Sequence, residues 1–415
     1  MIQNIADWML SINWLSGMGT AVAWGISLVL VALAIFIFVA LNALVLVYVE
    51  RKVSAFMQVR LGPMRVGFWG MLQTLADTLK LVVKEDIIPA MADRLLFRLG
   101  PFVVLFASVM VWAAMPFSQH ILAADLNIGL FFILSISSIV VLGIVMSGWA
   151  SNNKWSLYGA MRSAAQIISY EIPVGITLIA AVAAVGSLHM QTIIQAQAGV
   201  GNLFYWIPIP LPNWFIFHNP FLFVAAFIYL IGGTAEVNRV PFDIPEAESE
   251  LVAGYMTEFS GLRWALFFLS EYANMTLVAF IMVVVFLGGW QSPFDGYLSA
   301  QIGLSVLTGL FGLWSIFVWF KAHRLSSYPL IIAGIFTLAA WLFPGFAVWL
   351  GAPGLLWMLA KVALVVFLLM WFRWTFPRLR VDQLMYISWK VVLPISIVNL
   401  LGVAIWMWLT GEIQF

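Results

Sequence analysis

"WGISLVLVALAIFIFVALNALVLVYVERK", residues 24–52, decides the fold of this chain. No charge interrupts residues 24–49, and Glu50, Arg51 and Lys52 then arrive together. About 20 apolar residues suffice for a helix to cross a hydrocarbon core of roughly 30 Å. A helix suits that medium because it satisfies its own backbone hydrogen bonds. Arg51 is the first Lys or Arg, so no basic segment of a cleaved signal peptide precedes the run, and internal helices are expected to guide insertion. Similar runs recur throughout a sequence that is 64% hydrophobic and only 9% charged. The expectation is an all-α polytopic membrane protein forming a single integral-membrane domain over 1–415. A lone anchor on a soluble domain is excluded by the number of runs. A net charge of +1 gives no sign of nucleic-acid binding.

Cysteine is absent, so the chain holds no iron–sulfur cluster by thiolates and forms no disulfide. His120, His189, His218 and His323 match no metal-ligand spacing, and no metal site is expected.

Transmembrane spans are expected near 24–48, 96–116, 128–149, 164–186, 221–236, 264–288, 302–320, 329–350, 355–373 and 391–410. The positive-inside rule tests this count of about ten. With the N-terminus outside, the inner segments collect the cations from Arg51 to Arg98, then Lys154, Arg162, Arg239, Arg263, Lys321, Arg324, Arg373, Arg378, Arg380 and Lys390. The outer loops, including 187–220, collect none. Both termini are then outside. The first inner loop, 50–95, contains an amphipathic stretch in which Phe68, Met71, Leu72, Leu75, Leu79 and Val83 recur at helical spacing. That pattern predicts a helix lying at the inner interface, packed under the bundle or docking a partner.

Charge inside a span is costly, roughly 2.5–3.5 kcal/mol on insertion scales, and such residues usually face a bundle interior or a wet cavity. Glu171, Glu236, Glu271 and Lys361 all fall within the expected spans. Three carboxylates cannot all be neutralised by one lysine, so a set of fixed ion pairs does not account for the group. Carboxylates placed this way are candidates for proton exchange.

The loop after the fifth span, 237–263, is the most acidic segment. "EVNRVPFDIPEAESELVAGY", residues 236–255, gathers Glu236, Asp243, Glu246, Glu248 and Glu250 around Pro241 and Pro245. Glu246 and Glu250 would share a face of a helix, where like charges repel. Phe242, Ile244, Leu251 and Val252 are interleaved, which favours a half-buried funnel lip over a solvated loop. Two further stretches are basic: "ERKVSAFMQVRLGPMRVG" (50–67), with Arg60 and Arg65 flanking the Gly62-Pro63 turn, and "WFRWTFPRLRVDQLM" (371–385).

Five stretches together, "ERKVSAFMQVRLGP", "LQTLADTLKLVVKE", "EVNRVPFDIPEAESELVAGY", "FFLSEYANM" and "FPRLRVDQLM…WKVVLP", resemble the quinone-channel membrane subunit of respiratory complex I. The likeness runs through most of 24–290 and again through 355–400. It implies a bacterial inner-membrane protein of a proton-translocating NADH:quinone oxidoreductase, with quinone as substrate and no bound cofactor of its own. FMN and iron–sulfur clusters would belong to partner subunits. Implied partners are the soluble quinone-site and iron–sulfur subunits, the small membrane subunits, the antiporter-like subunits and membrane lipids. By resemblance, Arg60, Arg65, Asp77, Asp243, Glu246, Glu248 and Glu250 lie at the quinone cavity and tunnel. Glu171, Glu236, Glu258 and Glu271, with Lys361, would open the proton path.

Two departures stand out. Met64 replaces the asparagine usual in the family's Gly-Pro-Asn-Arg turn, which removes a hydrogen-bonding group. The family usually has eight spans, so residues 296–352 look like an added helical hairpin. Three rival readings differ in class: the equivalent subunit of a membrane-bound hydrogenase, a coenzyme F420 dehydrogenase or a photosynthetic ferredoxin-driven complex; a stand-alone secondary transporter, which would lead one to expect inverted repeats that are not found; and a passive anchor, which gives buried carboxylates no purpose.

Overall fold

The computed structural model describes residues 20–244, 251–292 and 354–411. Glu246, Glu248 and Glu250, the expected spans at 302–320 and 329–350, and the added hairpin at 296–352 lie outside the described residues. Within them the chain is mostly helical, and seven helices are long and apolar enough to cross a membrane. The shorter apolar helix Pro220–Glu236 accompanies them.

Helix α1 (Thr20–Met57) is longer than expected from its apolar run. At 1.5 Å per residue its 38 residues reach roughly 57 Å, well beyond a hydrocarbon core. Glu50, Arg51 and Lys52 therefore ride on its C-terminal turns instead of following it. The chain then folds back beneath it. Lys52 Nζ donates to Pro63 O (2.7 Å), and Tyr48 OH donates to Trp69 O (3.0 Å). The expected amphipathic helix is α2 (Gln73–Val83), with Thr74 buried and Leu75, Leu79 and Val83 exposed.

Helices α3 (Arg94–Met110), α4 (Gly129–Ser137), α5 (Ile139–Ala150) and α6 (Lys154–Val185) follow. Asp93 caps α3 by accepting from Leu95 N and Leu96 N, and Asn153 caps α6 by accepting from Trp155 N. The expected span 128–149 is interrupted at Ser138, where α4 gives way to α5. Helices α3 and α5 approach closely through small residues: a Cβ on Gly100 would collide with Ser147 Oγ, and one on Gly143 would collide with Val104 Cγ2. Close approach of this kind supplies dispersion contacts where lipid removes the hydrophobic drive between helices.

The segment read as an outer loop, 187–220, is ordered. It holds α7 (Met190–Ala196), an antiparallel hairpin of β1 (Val200–Leu203) and β2 (Ile207–Pro212), and the short α8 (Phe215–His218). His189 caps α7 and its Nε2 lies 2.6 Å from Asp125 Oδ1. Helix α9 (Pro220–Glu236) follows.

Helix α10 (Gly261–Phe286) is the hub. It packs against α1, α3, α9 and α11 (Leu355–Thr375), and most of its side chains are buried. The last helical unit starts ten residues before its expected span. It runs from α12 (Val381–Tyr386) through a π turn (Ile387–Val392) into α13 (Leu393–Thr410). Tyr170 OH donates to Leu384 O, and Ser388 Oγ donates to Ser169 O, fastening this unit to α6.

Candidate functional site

The charged residues of the hub and its neighbours meet at one end of the bundle. Glu50 is delivered by α1, Glu271 and Tyr272 by α10, Arg239 by the turn after α9, and Arg373 by the end of α11. Arg239 Nη1 donates to both oxygens of Glu50, at 2.9 and 3.1 Å. Tyr272 OH donates to Glu50 Oε2 at 2.7 Å, and Arg373 Nη1 donates to Glu50 Oε1. Glu50 is thus 4% exposed yet accepts from three side chains. Arg239 Nε stands 3.2 Å from Glu271 Oε1, without the alignment of a hydrogen bond, and its guanidinium lies 4.7 Å from the Tyr272 ring centre.

Burial works against the charge of Arg239. Glu271 and Glu50 outweigh burial and hold the guanidinium's pKa well above the ordinary arginine range. A buried ion is tolerated only with such compensation.

Asp243 sits on the same turn and pairs with Arg378, Nη2 to Oδ2 at 3.2 Å. Burial pushes its carboxyl above the usual range, against the pull of Arg378, Arg373 and Arg239. It also lies close enough to Glu271 for their charges to interact. The turn, the hub helix and α11 therefore share one electrostatic unit.

A second carboxylate pair lies alongside. Ser138 Oγ, at the break between α4 and α5, donates to Glu171 on α6. Glu236, half-buried, closes α9, which packs against α6. Glu171 opens onto an apolar cleft of about 320 Å³ lined by Leu130, Phe131, Leu134 and Ile179.

The other expected residues are placed apart. Glu258 accepts from Asn153 Nδ2 at 2.5 Å, beside the cap of α6. Asp77, on α2, pairs with Arg51 at 2.6 Å. Arg60 is exposed and donates to Gln58 Oε1, and Arg65 is exposed on the loop under α1. Lys361 is on α11, but its ammonium reaches the far end of the hub. Its Nζ donates to Leu287 O (2.6 Å), Gly289 O (2.9 Å) and Gln291 O (2.7 Å), and lies 4.0 Å from the Trp214 ring centre. Leu287 is sixteen residues from Glu271, roughly 24 Å along a helix.

Sequence reasoning misses Glu50, Arg239, Tyr272 and Arg373 as site residues. Glu50 is visible as the acid that ends the first run, and Arg239 as the one cation inside the most acidic stretch. In one dimension Arg239 and Arg373 count only as inner-loop charges.

A multi-pass helical membrane protein with a charged network at one end of its bundle is the class that fold and site define. Residues 30–404 match the family model described as NADH dehydrogenase. The chain is 46% identical over 390 residues to the H-type subunit of NADH-quinone oxidoreductase from Chlorobaculum tepidum, covering 94% of this chain and 95% of that one. The same-named protein of Bacteroides thetaiotaomicron is 42% identical over 405 residues, covering 96% and 97%. That of Anaeromyxobacter dehalogenans is 40% identical over 397 residues, covering 95% and 85%. The chain belongs to the NADH dehydrogenase family, and the resemblance drawn from its five motif stretches is borne out.

Proposed function

We propose that this chain is the membrane subunit of a proton-translocating NADH-quinone oxidoreductase that frames the quinone tunnel and begins its carboxylate path. The names of its relatives favour this over the hydrogenase, F420 and ferredoxin-driven readings. Quinone is the substrate, and FMN and iron–sulfur clusters reside in partner subunits. The protein sits in the bacterial cytoplasmic membrane with both termini outside, beside soluble, small membrane and antiporter-like subunits. Arg60, Arg65, Asp77 and Asp243 are assigned to the quinone side, as are Glu246, Glu248 and Glu250, which lie outside the described residues.

One observation carries the reading: Arg239 bridges two carboxylates that differ in how firmly they are held. Glu50 accepts hydrogen bonds from Arg239, Tyr272 and Arg373, so its negative charge is fixed. Glu271 meets the same guanidinium at 3.2 Å without hydrogen-bond alignment. Glu271 is therefore the member that gains or loses a proton when charge appears nearby, and Glu50 is the fixed counter-ion that keeps Arg239 charged. A change at the quinone side reaches Glu271 through Arg239 and continues through Glu236 and Glu171.

The test compares Glu271→Gln with Glu50→Gln in the assembled complex in membrane vesicles. Glu271→Gln should leave assembly intact and lower quinone-coupled proton translocation by about tenfold or more, the scale of a lost proton-transfer group. Glu50→Gln should lower the amount of assembled complex as well. Full turnover and full pumping in both variants would overturn the proposal.

A further inference from the structure

Gln166 lies on α6 and is 1% exposed. Its Nε2 has two hydrogens, shared among Ala235 O at 2.7 Å, Phe242 O at 2.7 Å and Asn238 Oδ1 at 3.1 Å. Each of these acceptors adjoins a charged residue: Ala235 precedes Glu236, Asn238 precedes Arg239, and Phe242 precedes Asp243. A single amide nitrogen therefore holds the chain beside three charged positions. Its own helix carries Glu171 five residues further on.

The orientation of this carboxamide is forced. A flipped amide would set Oε1 against two carbonyl oxygens and the Asn238 oxygen, with no hydrogen to share. Oε1 accepts no hydrogen bond among the described residues, so the polar work of the side chain lies in its N–H groups. A buried amide costs free energy unless it is paired, and a polar side chain kept here has to contribute through those donors. Other contacts draw the same turn onto α6. The Tyr170 and Phe242 rings are 5.3 Å apart, and Asn238 Nδ2 reaches toward Ser163 Oγ at 3.5 Å. Among the described residues, however, Gln166 is the side chain that reaches the helix end, the turn and the Asp243 arm together.

We propose that Gln166 is a positioning residue that latches the 237–244 turn to α6, so that the Glu171–Glu236 pair and the Glu50–Arg239–Glu271 cluster move as one unit. The proposal rests on the function given above. Displacement of α6 shifts Arg239 relative to its two carboxylates, and a charge change at Glu271 pulls on α6 through the same amide. Gln166 itself exchanges no proton.

The experiment uses two variants of the whole complex in membrane vesicles. Gln166→Met keeps length and loses every donor. Gln166→Glu keeps shape and donates only while protonated. Two readouts apply: amide hydrogen exchange across 237–244, and the pH profile of NADH-quinone turnover. Gln166→Met should speed exchange of the turn about tenfold, the equivalent of one net hydrogen bond, and lower turnover at every pH. Gln166→Glu should behave like the methionine variant near about pH 8 and recover toward the parent as pH falls to about 6, because a carboxyl buried against three oxygen acceptors favours its protonated form. Where Gln166→Met fails to assemble, Gln166→Glu assembled at the lower pH and shifted upward gives the same comparison. Unchanged exchange in both variants overturns the latch. Faster exchange with a pH-independent loss in Gln166→Glu overturns the positioning role and leaves a structural one. Should Glu271→Gln and Glu50→Gln keep full turnover while the turn loosens in Gln166→Met, the proposed function fails and the latch itself stands.

Discussion

The two ends of helix α10 hold cations in opposite ways. Toward its N-terminal half, Arg239 is enclosed by side chains that are themselves ionisable, Glu50, Glu271 and Tyr272. Just past its C-terminal end, Lys361 donates to the backbone carbonyls of Leu287, Gly289 and Gln291. Carbonyls do not titrate, so these three contacts are the same at every pH. Carboxylates do titrate, and the arginine's surroundings therefore have more than one charge state. An intramembrane charge alone does not mark a proton path. What surrounds the charge decides whether it anchors or responds.

The sharpest way to break this contrast is at Arg239. Arg239→Met leaves Glu50 and Glu271 buried with only Arg373 near, and removing one partner of a buried pair costs on the order of 3–5 kcal/mol. Little assembled complex is expected on native gels, and no quinone reductase activity. Arg239→Lys keeps the charge but loses the forked geometry that meets both oxygens of Glu50, so partial assembly with low turnover should follow. Normal activity in Arg239→Lys would show that the network needs only a positive charge.

Much of the scaffold is legible in the sequence, because each span announces itself as an uncharged run and each inner loop by its cations. Several helices run beyond the expected spans. Helix α1 carries Glu50 to Lys52, α6 begins at Lys154, and α12 begins at Val381. Charge ends a hydrophobic run without ending a helix. The cluster is only half legible. Glu236 and Glu271 stand out as acids in apolar segments, but Glu50 meets Arg239 across 189 residues of sequence. That pairing is made by the packing of α1 on α10, which no local pattern encodes. Lys361 looks like a counter-charge for the glutamates by the same one-dimensional reasoning; its depth along the hub sets it against carbonyls instead.

Lys361→Met sharpens the comparison from the other end. Orphaning buried carbonyls costs about 1–3 kcal/mol, so the detergent-solubilised complex should melt earlier and assemble in lower amount. Turnover and protons moved per electron, expressed per assembled complex, should match the parent. A fall in the pumping ratio at unchanged assembly would return Lys361 to the proton path.

The smallest effect is expected where both partners meet water. Arg51 and Asp77 pair at 2.6 Å, but their side chains are 43% and 27% exposed. Burial alone would raise the Asp77 carboxyl; the Arg51 hydrogen bond and charge outweigh it and hold the carboxyl below the usual carboxylate range. An acid whose pKa is lowered on folding adds stability above its unfolded value of about 4 and loses it as pH falls through the folded value. Screening limits that contribution to under about 1 kcal/mol. Asp77→Asn should therefore lower the melting midpoint slightly near neutral pH, flatten its fall below about pH 4, and lose its effect in high salt. A salt-insensitive loss as large as that of Arg239→Met would mean that the α1–α2 junction is sealed from water in the assembled complex, which would place Asp77 with the enclosed charges of the hub.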